Sequence, residues 1–122
     1  MVYVGTKIRI VDNSGVKLVR CIKVLGSNQK ALGRVGDILI CAVQRALPNR
    51  KIKTHDVCKC IIVRHSWKVQ RKNGIVISFS KPACVVVDTR FQPIGNRIHG
   101  CVMHELRIRR HLKIISLAST LV

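Results

Sequence analysis

Acidic and aromatic residues are the two classes this chain has least of. Five Asp and Glu stand against 23 Lys and Arg in 122 residues, a formal net charge of +18. The five acids, Asp12, Asp37, Asp56, Asp88 and Glu105, are scattered singly. No paired carboxylate is therefore in view for general acid–base work. A Gly-x-Ser-x-Gly elbow and a phosphate loop are also missing, and the chain reads as non-enzymatic. Aromatics make up 3%: Tyr3, Trp67, Phe79 and Phe91. Single-strand binders on small barrels stack successive bases on exposed aromatics, so a sequence-tolerant binder of the cold-shock type is disfavoured. The longest apolar runs, residues 38–43 and 83–87, fall far short of the roughly 18–20 residues that cross a bilayer as a helix, and no membrane partner is expected. The first nine residues lack the apolar core of a secretory signal and the Arg- and Ser-rich stretch of a transit peptide. The protein is expected to work where it is made, or to have lost a presequence already.

The excess of positive charge is the strongest positive signal. Apolar residues still form 48% of the chain, enough for a packed core, and the length suits one domain spanning residues 1–122. A folded domain so charged repels itself, which calls for a polyanionic partner. Residues 50–72 hold eight Lys or Arg against Asp56 alone, and residues 97–113 hold five against Glu105. With few aromatics and no helix-turn-helix, zinc finger or heptad array, recognition is expected to rest on Arg and Lys contacts to the backbone of folded RNA or a duplex. His99, His104 and His111 lie in the basic tail and read as cationic or phosphate-facing groups.

Short apolar segments alternate with turn signals about every ten residues, the all-β pattern. Residues 6–11 read as a strand with Ile8 and Ile10 inward and Lys7 and Arg9 outward. Asp12-Asn13-Ser14-Gly15 closes it as a turn, because Asp and Asn side chains bond nearby backbone and Gly supplies positive φ. Residues 16–25 read as a second strand, with Leu18, Ile22 and Val24 on one face and Lys17 and Lys23 on the other. Residues 38–43, apolar on both faces, suggest a central strand, followed by strands at 57–63, 75–79 and 83–87. Between them residues 64–73 lose all period and end in Asn73-Gly74, a tight hairpin signal. Past Pro93, Gly95 and Gly100 the spacing of Val102 with Leu106, and of Ile114 with Leu117 and Ala118, predicts two short helices within about 102–118. The sum is an all-β fold, a small closed or partly open barrel with short C-terminal helices. Gly33-Arg34-Val35-Gly36 has the form of a KH-type loop but leads into a strand, and is read as chance.

Six cysteines, Cys21, Cys41, Cys58, Cys60, Cys84 and Cys101, leave three readings open. Cys21, Cys41, Cys60 and Cys84 sit in Val, Ile and Leu runs, where a thiol behaves as a small hydrophobe. Three disulfides would suit a small extracellular heparin-type binder. His55-x2-Cys58-x-Cys60-x4-His65 would suit a metal-dependent RNA-processing enzyme, but Cys-x-Cys on a strand aims both thiols at one face, whereas structural zinc favours Cys-x2-Cys from a tight turn. No metal and no cofactor is predicted.

The ordered motifs Val11-Asp12-Asn13-Ser14-Gly15, Cys21-Ile22-Lys23-Val24-Leu25-Gly26, Val35-Gly36-Asp37-Ile38, Ala46-Leu47-Pro48-Asn49, Ile62-Val63-Arg64, Arg71-Lys72-Asn73-Gly74, Gly95-Asn96-Arg97-Ile98, Glu105-Leu106-Arg107 and Lys113-Ile114-Ile115-Ser116-Leu117-Ala118 together resemble the universal large-subunit ribosomal protein fourteen family, nearly end to end. The resemblance implies a five-stranded β-barrel with a β-ribbon hairpin and short C-terminal helices. It implies binding to large-subunit ribosomal RNA near the subunit interface, bridges to small-subunit RNA, contacts with neighbouring large-subunit ribosomal proteins, and a docking surface for a ribosome silencing factor. That surface maps to Asn96, Arg97 and Lys113, of which the first departs from the family's usual Thr. Further departures are Ser80-Lys81-Pro82-Ala83, where the family carries acid and Asn before Ala, and Gly100-Cys101-Val102, where it carries Gly-Pro-Val. The divergence and free cysteines look like a mitochondrial member, with plastid or bacterial cytoplasm as the alternatives.

The residues expected at RNA are Lys7, Arg9, Asn13, Ser14, Lys17, Arg20, Lys23, Arg45, Arg50, Lys51, Lys53, Arg64 and Arg71. Those expected near the subunit interface or the silencing factor are Asn96, Arg97, Arg107, Arg109, Arg110 and Lys113. Thiol titration of denatured, unreduced protein separates the cysteine readings: six free thiols are expected, and none would favour the disulfide framework.

Overall fold

The computed structural model describes residues 2–26 and 32–122. Its strands are β1 (Val2–Tyr3), β2 (Lys7–Ile10), β3 (Val16–Val24), β4 (Leu32–Gly33), β5 (Ile38–Ala46), β6 (Val57–Arg64), β7 (Val69–Gln70), β8 (Val76–Ile77), β9 (Ala83–Val87), β10 (Ile98–Val102) and, after a 3-10 turn at His104–Arg107 and helix α1 (Leu112–Leu117), β11 (Ala118–Leu121). Strands β2, β3, β5, β6 and β9 form a closed barrel. Four of its five seams are antiparallel, and the fifth closes it by pairing β2 parallel to β9, Arg9 with Ala83 and Ile10 with Cys84. Closure leaves these apolar strands without an exposed edge.

The closing seam is stapled at its end. Asp12 follows β2, and its carboxylate accepts the Ser14 amide at 3.1 Å, the Ser14 hydroxyl at 2.6 Å and the Val86 amide of β9 at 3.1 Å. The same turn carries Gly15 at φ +98°, as the Asp-Asn-Ser-Gly sequence predicts.

β3 does not keep the simple alternation read from its sequence. Its buried residues are Val16, Val19, Cys21 and Val24, while Ile22 is 46% exposed and Leu18 only half-buried. The register with β5 shifts between Val16 and Leu18, between Leu18 and Val19, and again between Cys21 and Lys23. Each extra residue at a bulge moves the following side chains to the opposite face. Ile22 and Leu18 are thereby turned out of the barrel, a correction to the inward assignment.

The hairpin at Asn73-Gly74 also differs in detail. Gly74 donates to the Arg71 carbonyl at 3.0 Å and Arg71 to Ile75 at 2.9 Å. Positive φ occurs at Gly74 and not at Asn73. That is a three-residue loop with glycine in the bulge position, not the two-residue turn that needs positive φ twice. It joins β7 to β8 in a two-stranded ribbon, so the strand expected over 75–79 is two residues long, with its partner inside the segment that had no period.

The C-terminal helices are shorter than the spacing suggests. Val102 ends β10 and Ala118 begins β11, and the two strands pair in parallel. Only the 3-10 turn and α1 lie between them. The i, i+4 pair Val102–Leu106 reflects burial of both residues, not one helix. Their segment lies against the barrel: Met103 donates to the Val63 carbonyl at 3.0 Å, and Met103, Leu106 and Ile114 are buried. This cover accounts for the unbroken burial of Cys60, Ile61, Ile62 and Val63 on β6. A second cover is the β1–β4 pair. A Cβ on Gly33 would stand 2.7 Å from Ile62 Cδ1, so glycine is what lets β4 approach. Pro82 stands immediately before β9, where its missing amide costs no ladder bond.

Replacing Asp12 by Ala strands the Val86 and Ser14 amides. Urea unfolding of Asp12→Ala should show a midpoint lowered by an amount equal to about 1–3 kcal/mol, with an unchanged m value.

Candidate nucleic-acid interface

All five carboxylates are engaged inside the fold. Asp12 staples the seam, and burial pushes its pKa up against the opposing pull of the Ser14 and Val86 bonds. Asp37 is buried, accepts the Arg34 amide at 2.8 Å and pairs with Arg109 Nη2 at 3.2 Å. Asp56 accepts the Lys53 amide at 2.9 Å, and Asp88 accepts the amides of Arg90 and Gln92. Glu105 receives both Nε and Nη2 of Arg71 at 3.1 and 3.2 Å. The acids thus shape loops and pin the C-terminal segment, and they leave most of the basic surface uncompensated.

The expected basic residues fall into distinct groups. On the outer face of β2, β3 and β5, Lys7 stands opposite Arg20, and Arg9 stands opposite Leu18, which in turn faces Arg45. Lys7, Arg9, Lys17, Arg20 and Arg45 are all exposed, and Arg20 Nε also donates to the Gly5 carbonyl at 3.3 Å. Like charges directly across a ladder repel, so this face is built for an anion. Lys23 is exposed near the far end of β3, paired with Ile40.

A second group collects around the turn after β2. The Arg50 side chain packs on Gly15, with Cγ 2.7 Å from where a Cβ would be. Asn13 Oδ1 accepts the amides of Asn96 and Arg97 at 2.9 and 3.3 Å, and Asn13 Nδ2 donates to Asn96 Oδ1 at 2.5 Å. Asn13, Ser14, Arg50, Asn96 and Arg97 therefore belong to one end of the barrel, and the loop after β5 carries Lys51 and Lys53, both exposed. Arg107, Arg110 and Lys113 are exposed on the C-terminal segment, with Lys113 beside Phe91 and Gln92.

Three of the expected residues also carry structural bonds. Arg64 Nη1 donates to the Cys101 carbonyl at 2.9 Å, and its guanidinium lies 5.7 Å from the Phe79 ring centroid. Arg71 adds to its Glu105 pair a bond to the Val122 carbonyl at 2.7 Å. Arg109 is committed to Asp37. His111 Nε2 lies 2.8 Å from the Gly36 carbonyl, which ties that ring to the barrel rim as well. Sequence spacing carries no trace of these hydrogen-bond and ion-pair partners, which sit 34 to 75 residues away.

Four of the six thiols are core groups, and Cys58 and Cys101 are half-buried. Cys21, Cys41, Cys60 and Cys84 are buried; burial drives the Cys21 pKa to about 11 and that of Cys84 well above the ordinary range, and hydrogen bonding with Cys41 and Cys58, together with burial, raises that of Cys60. Cys58 and Cys60 share a face, with sulfurs 3.8 Å apart. His65 is buried with Nδ1 3.1 Å from the Trp67 carbonyl, and burial lowers its pKa. Among the described residues no group of three His, Cys, Asp or Glu is placed to hold a metal. Sequence reasoning passed over a cleft lined by Trp67, Lys68 and Arg34; the single Trp beside a Lys was the available signal.

Tied and untied cations should separate in a stability assay. Arg71→Ala is expected to lower stability by about 1–3 kcal/mol, whereas Lys51→Ala should stay within about 0.5 kcal/mol, although each removes one positive charge. Parallel urea titrations of the two variants provide the comparison.

A comparison with protein-family models matches residues 1–122, the whole chain, to the family described as ribosomal protein L14p/L23e.

Proposed function

Because this chain belongs to the ribosomal protein L14p/L23e family, a family of structural, non-enzymatic constituents of the large ribosomal subunit, we propose that its basic surface binds large-subunit ribosomal RNA and contributes to bridges with small-subunit RNA. The observation that carries this reading is the cross-strand array Lys7, Arg9, Arg20 and Arg45, on a barrel whose acids are all engaged elsewhere. Rigid strands hold these charges in register, so phosphates can be neutralised without ordering a flexible tail on binding. The Asn13–Asn96 latch supports a second contact at the barrel end, where it fixes the backbone amides of Asn96 and Arg97.

Arg97, Arg107, Arg110 and Lys113 are assigned to the subunit-facing side together with Asn96. Neighbouring large-subunit proteins are the further partners. A silencing factor docking there meets Arg97 and Lys113, whereas the Asn96 side chain is already bonded to Asn13. The free core thiols and the departures at residues 80–83 and 100–102 favour a mitochondrial ribosome over a plastid or bacterial one.

In a sedimented lysate the protein should travel with the large subunit and leave it only at high salt; a free monomer at low salt would overturn the reading. For the purified chain on structured RNA, the combined Lys7→Ala, Arg20→Ala and Arg45→Ala variant should flatten the slope of log affinity against log salt by about 3, roughly one unit for each phosphate no longer neutralised.

A further inference from the structure

Trp67 is the single tryptophan of the chain, and it is 55% exposed in the link between β6 and β7. That link is not loose. The His65 ring is buried beside the Trp67 carbonyl, and the Phe79 amide donates to the His65 carbonyl at 3.2 Å. Trp67 stands on the wall of a cleft of about 380 Å³, within the range of small-ligand sites. Ile108, 80% exposed, lines the same cleft.

The charges of the cleft point one way. Arg34 and Lys68 line it and are exposed. Its acid, Glu105, is neutralised by two nitrogens of Arg71, and Arg109 is held by Asp37. A large aromatic surface, an apolar neighbour and two cations without a carboxylate to oppose them match a nucleotide: the base needs a stacking partner and the phosphate needs positive charge. An acidic peptide would also satisfy the cations. A cleft of single-nucleotide size with one aromatic platform favours the nucleotide.

We propose that this cleft takes one unpaired nucleotide of an RNA strand, its base stacked on Trp67 and its phosphate neutralised by Arg34 and Lys68. The proposal rests on the RNA-binding reading and adds a mode that the outer face of the barrel lacks. A duplex meets Lys7, Arg9, Arg20 and Arg45 through its backbone, but its bases stay stacked and do not enter the cleft.

The single Trp makes the test direct. The purified full chain is titrated with a short oligoadenylate, with an RNA duplex and with adenosine monophosphate, following Trp fluorescence and the anisotropy of labelled RNA. Oligoadenylate should quench the fluorescence, and the duplex should bind without quenching. Trp67→Ala should weaken oligoadenylate by about tenfold, with Trp67→Phe retaining most of the affinity and both variants binding duplex as the parent does. Absence of quenching, equal weakening for duplex, or monophosphate binding as tightly as the oligomer would each overturn the proposal. In assembled particles, ultraviolet crosslinking should join the Trp67 peptide to RNA, and a crosslink to protein instead would overturn it. Failure of the duplex to bind at all would overturn the RNA-binding reading itself, which the outer-face variant tests separately.

Discussion

The parallel seam between β2 and β9 is the constraint on which the rest of this molecule depends. A five-stranded sheet left open there would expose two apolar edges, and the outward array of cations on β2, β3 and β5 would lose its curvature and its fixed spacing. One carboxylate secures the end of the seam. Asp12 bonds its own turn through Ser14 and the opposite strand through Val86. The isolated bridge between Asp12 and Ile98 then starts β10 on its course to Val63 and the C-terminal cover. Charge burial at Asp12 is costly, which is why its pKa rises, and the three bonds it accepts are what make that burial tolerable.

The other acids follow the same pattern. Each caps a loop or pairs with an arginine that pins distant segments together, and Asp37 does both. The consequence is electrostatic: a chain with five carboxylates and 23 Lys and Arg leaves most of its positive charge unmatched on the surface. Such a surface subjects the isolated protein to self-repulsion and attracts it to phosphate. For a member of this ribosomal family the charge is best understood as belonging to an assembled particle. Four of the free thiols, Cys21, Cys41, Cys60 and Cys84, fit the same picture, since they fill the core as small hydrophobes.

The architecture also divides the labour among its cations. Lys and Arg on the outer barrel face present charge at fixed intervals. Arg64, Arg71 and Arg109 bind carbonyls and carboxylates across the fold and hold the C-terminal segment in place. The cleft at Trp67 stands between these two uses, because the tied arginines remove its negative charge and leave Arg34 and Lys68 to act outward.

Much was legible from the residues alone. Alternation in 6–11 and the Asp-Asn-Ser-Gly turn follow from local stereochemistry, and the short apolar-rich segments at 38–43, 57–63 and 83–87, spaced by turn signals, indicate strands of a small β core. The inward set of β3 was not legible, since bulges shift its register through pairing with β5. Nor were β7, β10 and β11, two to five residues long, whose existence depends on partners remote in sequence. Composition determines the sum of charge, because that sum is independent of conformation. Which cation is left facing outward and which is bound to a carboxylate or carbonyl is decided only by the tertiary structure, because an ion pair or hydrogen bond requires two groups within about 3 Å, and only the fold brings residues so far apart in sequence to that distance.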